Sequence, residues 1–313
     1  MKHILFGAAL AVAAASTAFA EDYMIMAPAA PGGGWDSTAR TIQEVMGAEG
    51  IGSAQVQNVP GAGGTVGLAQ FVAGAAGDPK QLIVGGYVMV GAILTNASPV
   101  SLADVTPIAR LTGEAVAIAV PAASELQTIG DLVEKLKADP GSVSWAGGSA
   151  GGVDHITVGL LAKAAGVDPT KINYVAFSGG GEALAAILGN QVTAGVSGVS
   201  EFLPQVEAGT MRILAVSTAE RWVNTDAPTL MESGYAVDVQ NWRMVAAAPG
   251  LTDEQKAVVL ADVDKLVNSA GWKAALETKG WANTYLAGAD FDAQLAKEIE
   301  ATTAILKDIG LVQ

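Results

Sequence analysis

Four times along this chain, a short apolar run leads into a glycine-rich turn that is followed directly by a helical pattern. The four turns lie in Pro31–Arg40, Asn58–Gly67, Trp145–His155 and Phe177–Glu182. Strands that alternate with helices in this way are typical of α/β layers with largely parallel sheets. A glycine turn at a helix start leaves backbone N–H groups unpaired, and these donors together with the helix dipole favour an anion. The pattern therefore predicts an α/β protein that holds an anion at several helix starts.

The alternation of strand and helix patterns continues to the end of the chain, with no Ser-rich or Pro-rich linker. Ile108–Leu111 and Ala115–Pro121 are predicted as two separate strands, and Thr128 as the N-cap of a helix that ends at Ala138. Two amphipathic helices are predicted in the tail, Asp253–Asn268 and Phe291–Leu306. Two domains joined by strands that cross and return leave no linker in the sequence, so its absence is compatible with two domains.

Residues 1–20 have the pattern of a secretory signal peptide. Lys2 precedes an apolar run, and Ala18-Phe19-Ala20 fits the small residues required at a cleavage site. The chain contains no cysteine, so no lipid can be attached there and no disulfide can form. We therefore expect cleavage after Ala20 and export of a soluble protein that is not a lipoprotein.

Composition excludes several classes of function. A net charge of −14 argues against nucleic-acid binding, which requires a basic face. Two histidines and no cysteine leave too few nitrogen and sulfur ligands for a transition-metal site, and no EF-hand spacing is present. We expect no metal, no cofactor and no catalytic activity.

Two motif matches fail on the residues around them. Asn58–Gly67 resembles a dinucleotide fingerprint, but Val66 stands where the last glycine belongs. Gly147–Gly151 matches the G-x-S-x-G elbow of a serine hydrolase acting through Ser149. That chemistry needs a histidine well downstream, whereas His155 lies six residues away at the same helix start. A secreted hydrolase is therefore the disfavoured alternative to a binding protein, and His155 either holds the turn or contacts the ligand.

The segment Pro-Gly-Gly-Gly-Trp-Asp-Ser-Thr-Ala-Arg at 31–40 is followed, in order, by glycine segments at 58–67, 147–155 and 177–183 and by Asn-Trp-Arg at 241–243. In this combination the segments resemble the solute receptors of tripartite tricarboxylate transporters, and the tricarboxylate branch in particular. The resemblance covers the whole chain after residue 20. It implies a type II periplasmic-binding-protein fold, in which two α/β lobes are joined by crossing hinge strands around a ligand cleft.

The same resemblance implies the organisation and the activity. One lobe would comprise residues 21–120 and 236–313, and the other residues 121–235. Such a receptor would act in the periplasm as a monomer, capture a citrate-like di- or tricarboxylate by hinge closure, and deliver it to the membrane permease subunits of its transporter.

The expected ligand contacts come from both lobes. The first lobe would supply the loop from Pro31 to Asp36, and the second lobe the turns around Ser149 and Ser178. The full set is Pro31, Gly32, Gly33, Gly34, Trp35, Asp36, Tyr87, Ser149, Ala150, Gly151, His155, Ser178, Gly179, Gly180, Gly181, Ser197, Trp242 and Arg243.

Several members of this set have two interpretations. Asp36 is expected to cap its helix and pair with Arg40 rather than touch a carboxylate directly, although it could hold a water. Arg243 is either an extra anchor for the ligand or one half of a structural salt bridge. Trp35, Tyr87 and Trp242 are either core residues or walls of a pocket for a neutral or aromatic solute, which is a third possible function.

Overall fold

The computed structural model describes residues 22–313, so the predicted signal peptide at residues 1–20 lies outside the described residues. Within that range, ten strands form one curled sheet. They are β1 (Tyr23–Ala27), β2 (Ala54–Asn58), β3 (Gln81–Gly86), β4 (Thr106–Pro121), β5 (Ser144–Gly147), β6 (Asn173–Ala176), β7 (Ala194–Gly198), β8 (Met211–Val216), β9 (Gln240–Ala247) and β10 (Ala282–Ala287).

Helices alternate with these strands, as the sequence predicts. In chain order they are α1 (Gly34–Ala48), α2 (Thr65–Gly74), α3 (Tyr87–Thr95), α4 (Ile129–Ala138), α5 (Val153–Ala164), α6 (Gly180–Leu188), α7 (Val199–Glu207), α8 (Asp253–Asn268), α9 (Ala270–Lys279) and α10 (Gly288–Asp308). The predicted N-cap of α4 is confirmed, because the Thr128 side chain accepts a hydrogen bond from the backbone N–H of Asp131. Among residues 22–313, no helix is long and apolar enough to cross a membrane.

The strand order is β2-β1-β3-β9-β4-β7-β5-β6, with β8 and β10 also paired to β4. The neighbours β2, β1 and β3 are parallel, as are β7, β5 and β6, while β9 runs antiparallel to both β3 and β4. We call the part from β2 to β9, with β10, the first half of the sheet, and the part formed by β5 to β8 the second half. Helices α1, α8 and α10 pack on the first half, and α5, α6 and α7 on the second.

Strand β4 connects the two halves. Its residues from Thr106 to Ala115 pair with β9, and those from Val116 to Pro121 pair with β7 and β8. The prediction of two separate strands here was wrong, because the polar residues Thr112 and Glu114 that interrupt the apolar run are fully buried and have polar partners across the sheet. A single strand shared by both halves is consistent with two lobes joined by crossing strands, and the boundaries proposed at residues 120 and 235 stay predictions.

Candidate functional site: a cleft lined by helix N-termini

A cavity lies between the two halves of the sheet, beyond the carboxyl ends of β1, β5, β6 and β7. Ligands in open α/β sheets bind at this edge of the strands. The first half contributes the loop after β1 and the glycines before α2, while the second half contributes the turns after β5, β6 and β7. The lining residues are Pro28, Ala29, Gly33, Gly34, Trp35, Gly61, Gly63, Gly64, Val88, Gly148, Ser149, Asp154, Ser178, Gly179, Gly180, Ser197, Glu201, Asn241 and Arg243.

Five helices begin at the wall of this cavity. Helices α1, α2, α5, α6 and α7 each start within two residues of a lining residue. The N-terminal turns of these helices carry backbone N–H groups without helical partners and the positive end of each helix dipole. An anion in the cavity would therefore be stabilised from both halves of the sheet, as the glycine turns predict.

Asp36 holds the first glycine loop in place by hydrogen bonds but does not line the cavity. Its carboxylate accepts hydrogen bonds from the backbone N–H of Gly32 at 2.9 Å, from Nε of Arg40 at 3.0 Å and from Nδ2 of Asn58 at 2.9 Å. Burial alone would raise the pKa of Asp36, but these hydrogen bonds outweigh it and lower the pKa below its ordinary value. The predicted pairing with Arg40 is thus confirmed, whereas no side chain caps α1 at Gly33 and Asp36 instead accepts from Gly32, one residue before the cap.

Replacing Asp36 with alanine should lower the free energy of unfolding by about 2 kcal/mol, because the partly buried hydrogen bonds from Gly32 and Asn58 lose their charged acceptor. Since the folded state lowers the pKa of Asp36, this contribution is complete at neutral pH. It begins to disappear near the ordinary value of 3.8 and is lost as the pH falls through the folded value. Denaturant unfolding of wild type and the Asp36 variant between pH 7 and pH 3, in steps of about one pH unit, measures the difference in their free energies of unfolding.

The matched control for this prediction is Arg40→Gln. The Arg40 side chain is 52% exposed, so its ion pair with Asp36 should contribute less than about 1 kcal/mol. A loss in the Arg40 variant as large as in the Asp36 variant would contradict the hydrogen bonds from Gly32 and Asn58 as the main source of stability.

Arg243 lies directly beneath the first glycine loop. A Cβ atom on Gly34 would stand 2.6 Å from Nη2 of Arg243. Only glycine therefore allows the loop to approach the guanidinium this closely. Nη2 donates to Oε2 of Glu114 at 2.5 Å, and the two side chains are 1% and 0% exposed. Nη1 faces no hydrogen-bond partner among the described residues. The structural salt bridge is therefore confirmed, and a role of Nη1 as an anchor for the ligand stays a prediction.

Two carboxylates that the sequence analysis did not propose also line the cavity, Asp154 and Glu201. Asp154 accepts a hydrogen bond from the N–H of Gly148 at 2.8 Å, and Glu201 accepts one from the Ser197 hydroxyl. Burial raises the pKa of Asp154 to about 7, with a further contribution from the charges of Glu201 and Glu114. Burial, followed by the charge of Glu114, also raises the pKa of Glu201. The second half of the sheet therefore contributes both acids and helix N-termini to the cavity wall.

His155 holds its turn and does not serve Ser149. Its Nδ1 atom accepts a hydrogen bond from the N–H of Gly151 at 3.2 Å, and its ring stacks on Tyr174 with centroids 4.1 Å apart. Burial lowers the pKa of His155 to about 4, so the ring is a neutral acceptor at physiological pH. In residues 22–313 the Ser149 hydroxyl makes no hydrogen bond to this ring, which gives no support to the hydrolase alternative.

Tyr87 and Trp242 do not line the cleft. They stack on each other, with ring centroids 6.2 Å apart, and line a second cavity together with Trp222 and Trp281. The reason is strand alternation: successive side chains of β9 point to opposite faces of the sheet, so Arg243 reaches the cleft and Trp242 the opposite side. The second cavity is larger, about 700 Å³ against about 70 Å³, but the helix N-termini converge on the smaller one.

The expected ligand contacts divide into residues on the wall of the cleft and residues around it. The cavity brings together half of the predicted set, namely Gly33, Gly34, Trp35, Ser149, Ser178, Gly179, Gly180, Ser197 and Arg243. Ala150 lines an adjoining pocket with Ser149 and Ser178. Outside the wall of the cleft lie Pro31, Gly32, Asp36, Gly151, His155 and Gly181, and their contact with a ligand stays a prediction. No group of three or more metal-binding side chains occurs in residues 22–313.

Known proteins share this architecture. The family model described as the tripartite tricarboxylate transporter family receptor matches residues 38–311. Protein BugT of Bordetella pertussis is 26% identical over 306 residues, which cover 95% of this chain and 91% of that protein. Two solved structures from R. palustris are similar in fold. Rpa4515 with adipate has a TM-score of 0.85, 22% identity, and coverage of 92% and 97% of the two chains. MatC with bound malate has a TM-score of 0.76, 24% identity, and coverage of 92% and 98%.

These matches confirm the predicted resemblance and the type II periplasmic-binding-protein fold. The fold places a ligand cleft between two α/β halves, and helix N-termini from both halves reach the cavity described above. The chain belongs to the receptor family of the tripartite tricarboxylate transporters, whose members are solute-binding proteins.

Proposed function

We propose that the protein captures a small di- or tricarboxylate in the cleft, citrate-like in carrying its carboxylates on a short chain, and delivers it to the permease subunits of a tripartite transporter. In this proposal the protein is exported by cleavage after Ala20, acts in the periplasm as a monomer, and has no catalytic activity. The observation that carries the proposal is the convergence of five helix N-termini on a cavity that also contains an available Nη1 atom of Arg243.

The energetics allow such binding. Charge-assisted hydrogen bonds contribute roughly 1.5–3 kcal/mol each, and micromolar affinity requires about 8 kcal/mol in total. Two carboxylates held by several oriented N–H donors reach this value after the cost of association is subtracted. The fold neighbours solved with adipate and malate support carboxylates as the ligand class.

Contacts between the two halves support closure around the ligand. The Thr95 hydroxyl, at the end of α3, donates to the backbone oxygen of Ala150 in the turn after β5. A Cβ atom on Gly63 would stand 3.2 Å from Cβ of Ser149, so the glycines before α2 also touch this turn. The two halves thus touch beside the cleft, which is an arrangement that hinge closure produces.

A thermal-shift panel of malate, adipate, citrate and their neutral amides tests the ligand class. We expect at least one free acid to raise the unfolding midpoint, and the rise should grow with the concentration of the acid. At 100 times Kd the free energy of unfolding should increase by about 2.7 kcal/mol. The neutral amide of the same acid should not raise the midpoint. A panel in which no carboxylate shifts the midpoint, or in which an amide shifts it equally, would contradict the proposal.

The Ser149→Ala variant separates binding from hydrolysis. We expect it to bind carboxylates still, with affinity weakened by no more than about 10- to 100-fold, because the Ser149 hydroxyl is one charge-assisted donor among many on the cavity wall. Ester hydrolysis by the wild-type protein that disappears in this variant would instead establish the hydrolase alternative.

A further inference from the structure

Two buried polar atoms on the cleft wall have no hydrogen-bond partner within the described part of the chain. One is the donor Nη1 of Arg243, and the other is the acceptor Oε1 of Glu201. Buried polar groups normally find partners, so unpaired groups that line a cavity indicate what its ligand must supply. The inference that follows rests on the proposed function, and it concerns how the same cleft accommodates a carboxylate beside its own acids.

The charges on the wall do not balance. Arg243 is neutralised by Glu114, whose Oε1 atom also accepts from the N–H of Ser200 at 2.6 Å. Asp154 and Glu201 then remain without a cationic partner on any element that faces the cleft. Two ionised carboxylates would repel an incoming anion at close range in a medium of low dielectric constant.

The other titratable groups nearby do not supply the missing charge. His155, on α5, is neutral, and the Tyr174 hydroxyl, on β6, donates to the backbone oxygen of Gly148 at 2.8 Å. Burial raises the pKa of Tyr174, which keeps this hydroxyl protonated. The Glu182 carboxylate, on α6, accepts from the N–H of Ser178. Asp36, on α1, is already paired with Arg40.

When a ligand acceptor faces Oε1, the hydrogen-bond pattern of Glu201 favours the protonated carboxyl. Oε2 accepts from the Ser197 hydroxyl, whereas Oε1 has no donor from any residue that the structure describes. An ionised carboxylate would therefore keep one buried oxygen without a donor, which is unfavourable. A proton on Oε1 turns this atom into a donor, and the missing partner is then an acceptor.

We propose that Glu201 binds the ligand as a carboxylic acid: its Oε1–H donates to a ligand carboxylate that also accepts from Nη1 of Arg243, so the anion enters the cleft together with one proton from solvent. One carboxylate thereby satisfies both unpaired atoms, and the added proton cancels one wall charge. Glu201 is thus a specificity residue that selects acceptor groups, and Asp154 keeps its bond to Gly148.

Calorimetric titration of the wild-type protein with adipate and with malate tests this inference. Binding heats measured in buffers of different ionisation enthalpy at about pH 7.5 should report the uptake of close to one proton per ligand. Between about pH 6 and about pH 8.5 the ligand carboxylates stay ionised, and Kd should rise with pH by up to about tenfold per unit.

The Glu201→Gln variant keeps a donor at the same place but cannot take up a proton. We expect its proton uptake to fall by more than half and its Kd to change little with pH. The control is Glu207→Gln, at the exposed C-terminal end of α7, which should behave like wild type. Unchanged uptake in the Glu201 variant would overturn the assignment, because the proton would then reside elsewhere.

Two other results would also overturn it. Binding of either acid without proton uptake would show that no proton enters the cleft with the anion, and proton release would show that Glu201 is ionised in the complex. In these cases the carboxylate receptor proposal survives. Failure of wild type to bind adipate, malate or any other acid of the thermal-shift panel would instead remove the proposed function together with this inference.

Discussion

Replacing Arg243 with methionine should abolish carboxylate binding and lower the free energy of unfolding by about 3–5 kcal/mol. The loss of binding and the loss of stability both come from removing the Arg243 guanidinium. Nη2 of Arg243 neutralises Glu114, which is 0% exposed, while Nη1 is buried without a hydrogen-bond partner among the described residues, in a side chain that lines the cleft. Without the guanidinium, the buried Glu114 carboxyl loses its counter-ion and keeps only the N–H of Ser200 as a hydrogen-bond partner among the described residues. Denaturant unfolding and calorimetric titration with adipate or malate measure the two effects separately.

A double variant distinguishes the structural part of this role from the binding part. Glu114→Gln combined with Arg243→Met removes both charges, and the new amide oxygen can still accept from Ser200. Replacing both partners of a buried ion pair is often nearly neutral, so most of the lost stability should return while binding stays absent. A double variant that is stable and binds as wild type would show that Arg243 serves Glu114 alone.

The sequence predicts the helix starts of the cleft because short-range signals determine them. Gly33-Gly34 and Gly179-Gly180 stand directly between a strand pattern and a helix pattern, and the structure begins α1 and α6 at these positions. Asp36 and Arg40 are likewise predictable as a pair, since residues four apart lie on one face of a helix. Local chemistry is sufficient for each of these features.

The rest of the cleft depends on long-range pairing, which a single sequence does not reveal. Glu114 and Arg243 are 129 residues apart, and both occupy strands whose polar residues conceal the buried pattern. The sequence does not indicate β9, so it predicts adjacent Trp242 and Arg243 at one site, whereas strand alternation sends their side chains to opposite faces of the sheet. Asp154 and Glu201 were missed for another reason. An acid in the first turn of a helix ordinarily stabilises the helix dipole at the surface, so nothing local marks these two as cavity residues.

Placing alanine at Gly91 should weaken carboxylate binding by about 10- to 100-fold without destabilising the ligand-free fold. Gly91 lies in α3, and a Cβ atom there would stand 1.9 Å from the backbone oxygen of Gly151 in the turn after β5. This contact joins the two halves of the sheet, so the added methyl group holds the cleft open. Overpacking of this kind costs about 1–3 kcal/mol, and each 1.4 kcal/mol is a factor of ten in Kd.

The ligand-free protein should tolerate the same change because opening the cleft relieves the clash, while alanine is favoured over glycine in a helix by up to about 1 kcal/mol. Gly47→Ala in α1 is the matched control, since no atom outside the helix backbone lies within 4 Å of the new methyl group. It offers the same gain in helix propensity and should leave Kd unchanged. Solution scattering should then show that ligand compacts wild type and the Gly47 variant but compacts the Gly91 variant less. Equal affinity in the two glycine variants would mean that closure at the contact between α3 and Gly151 does not contribute to capture.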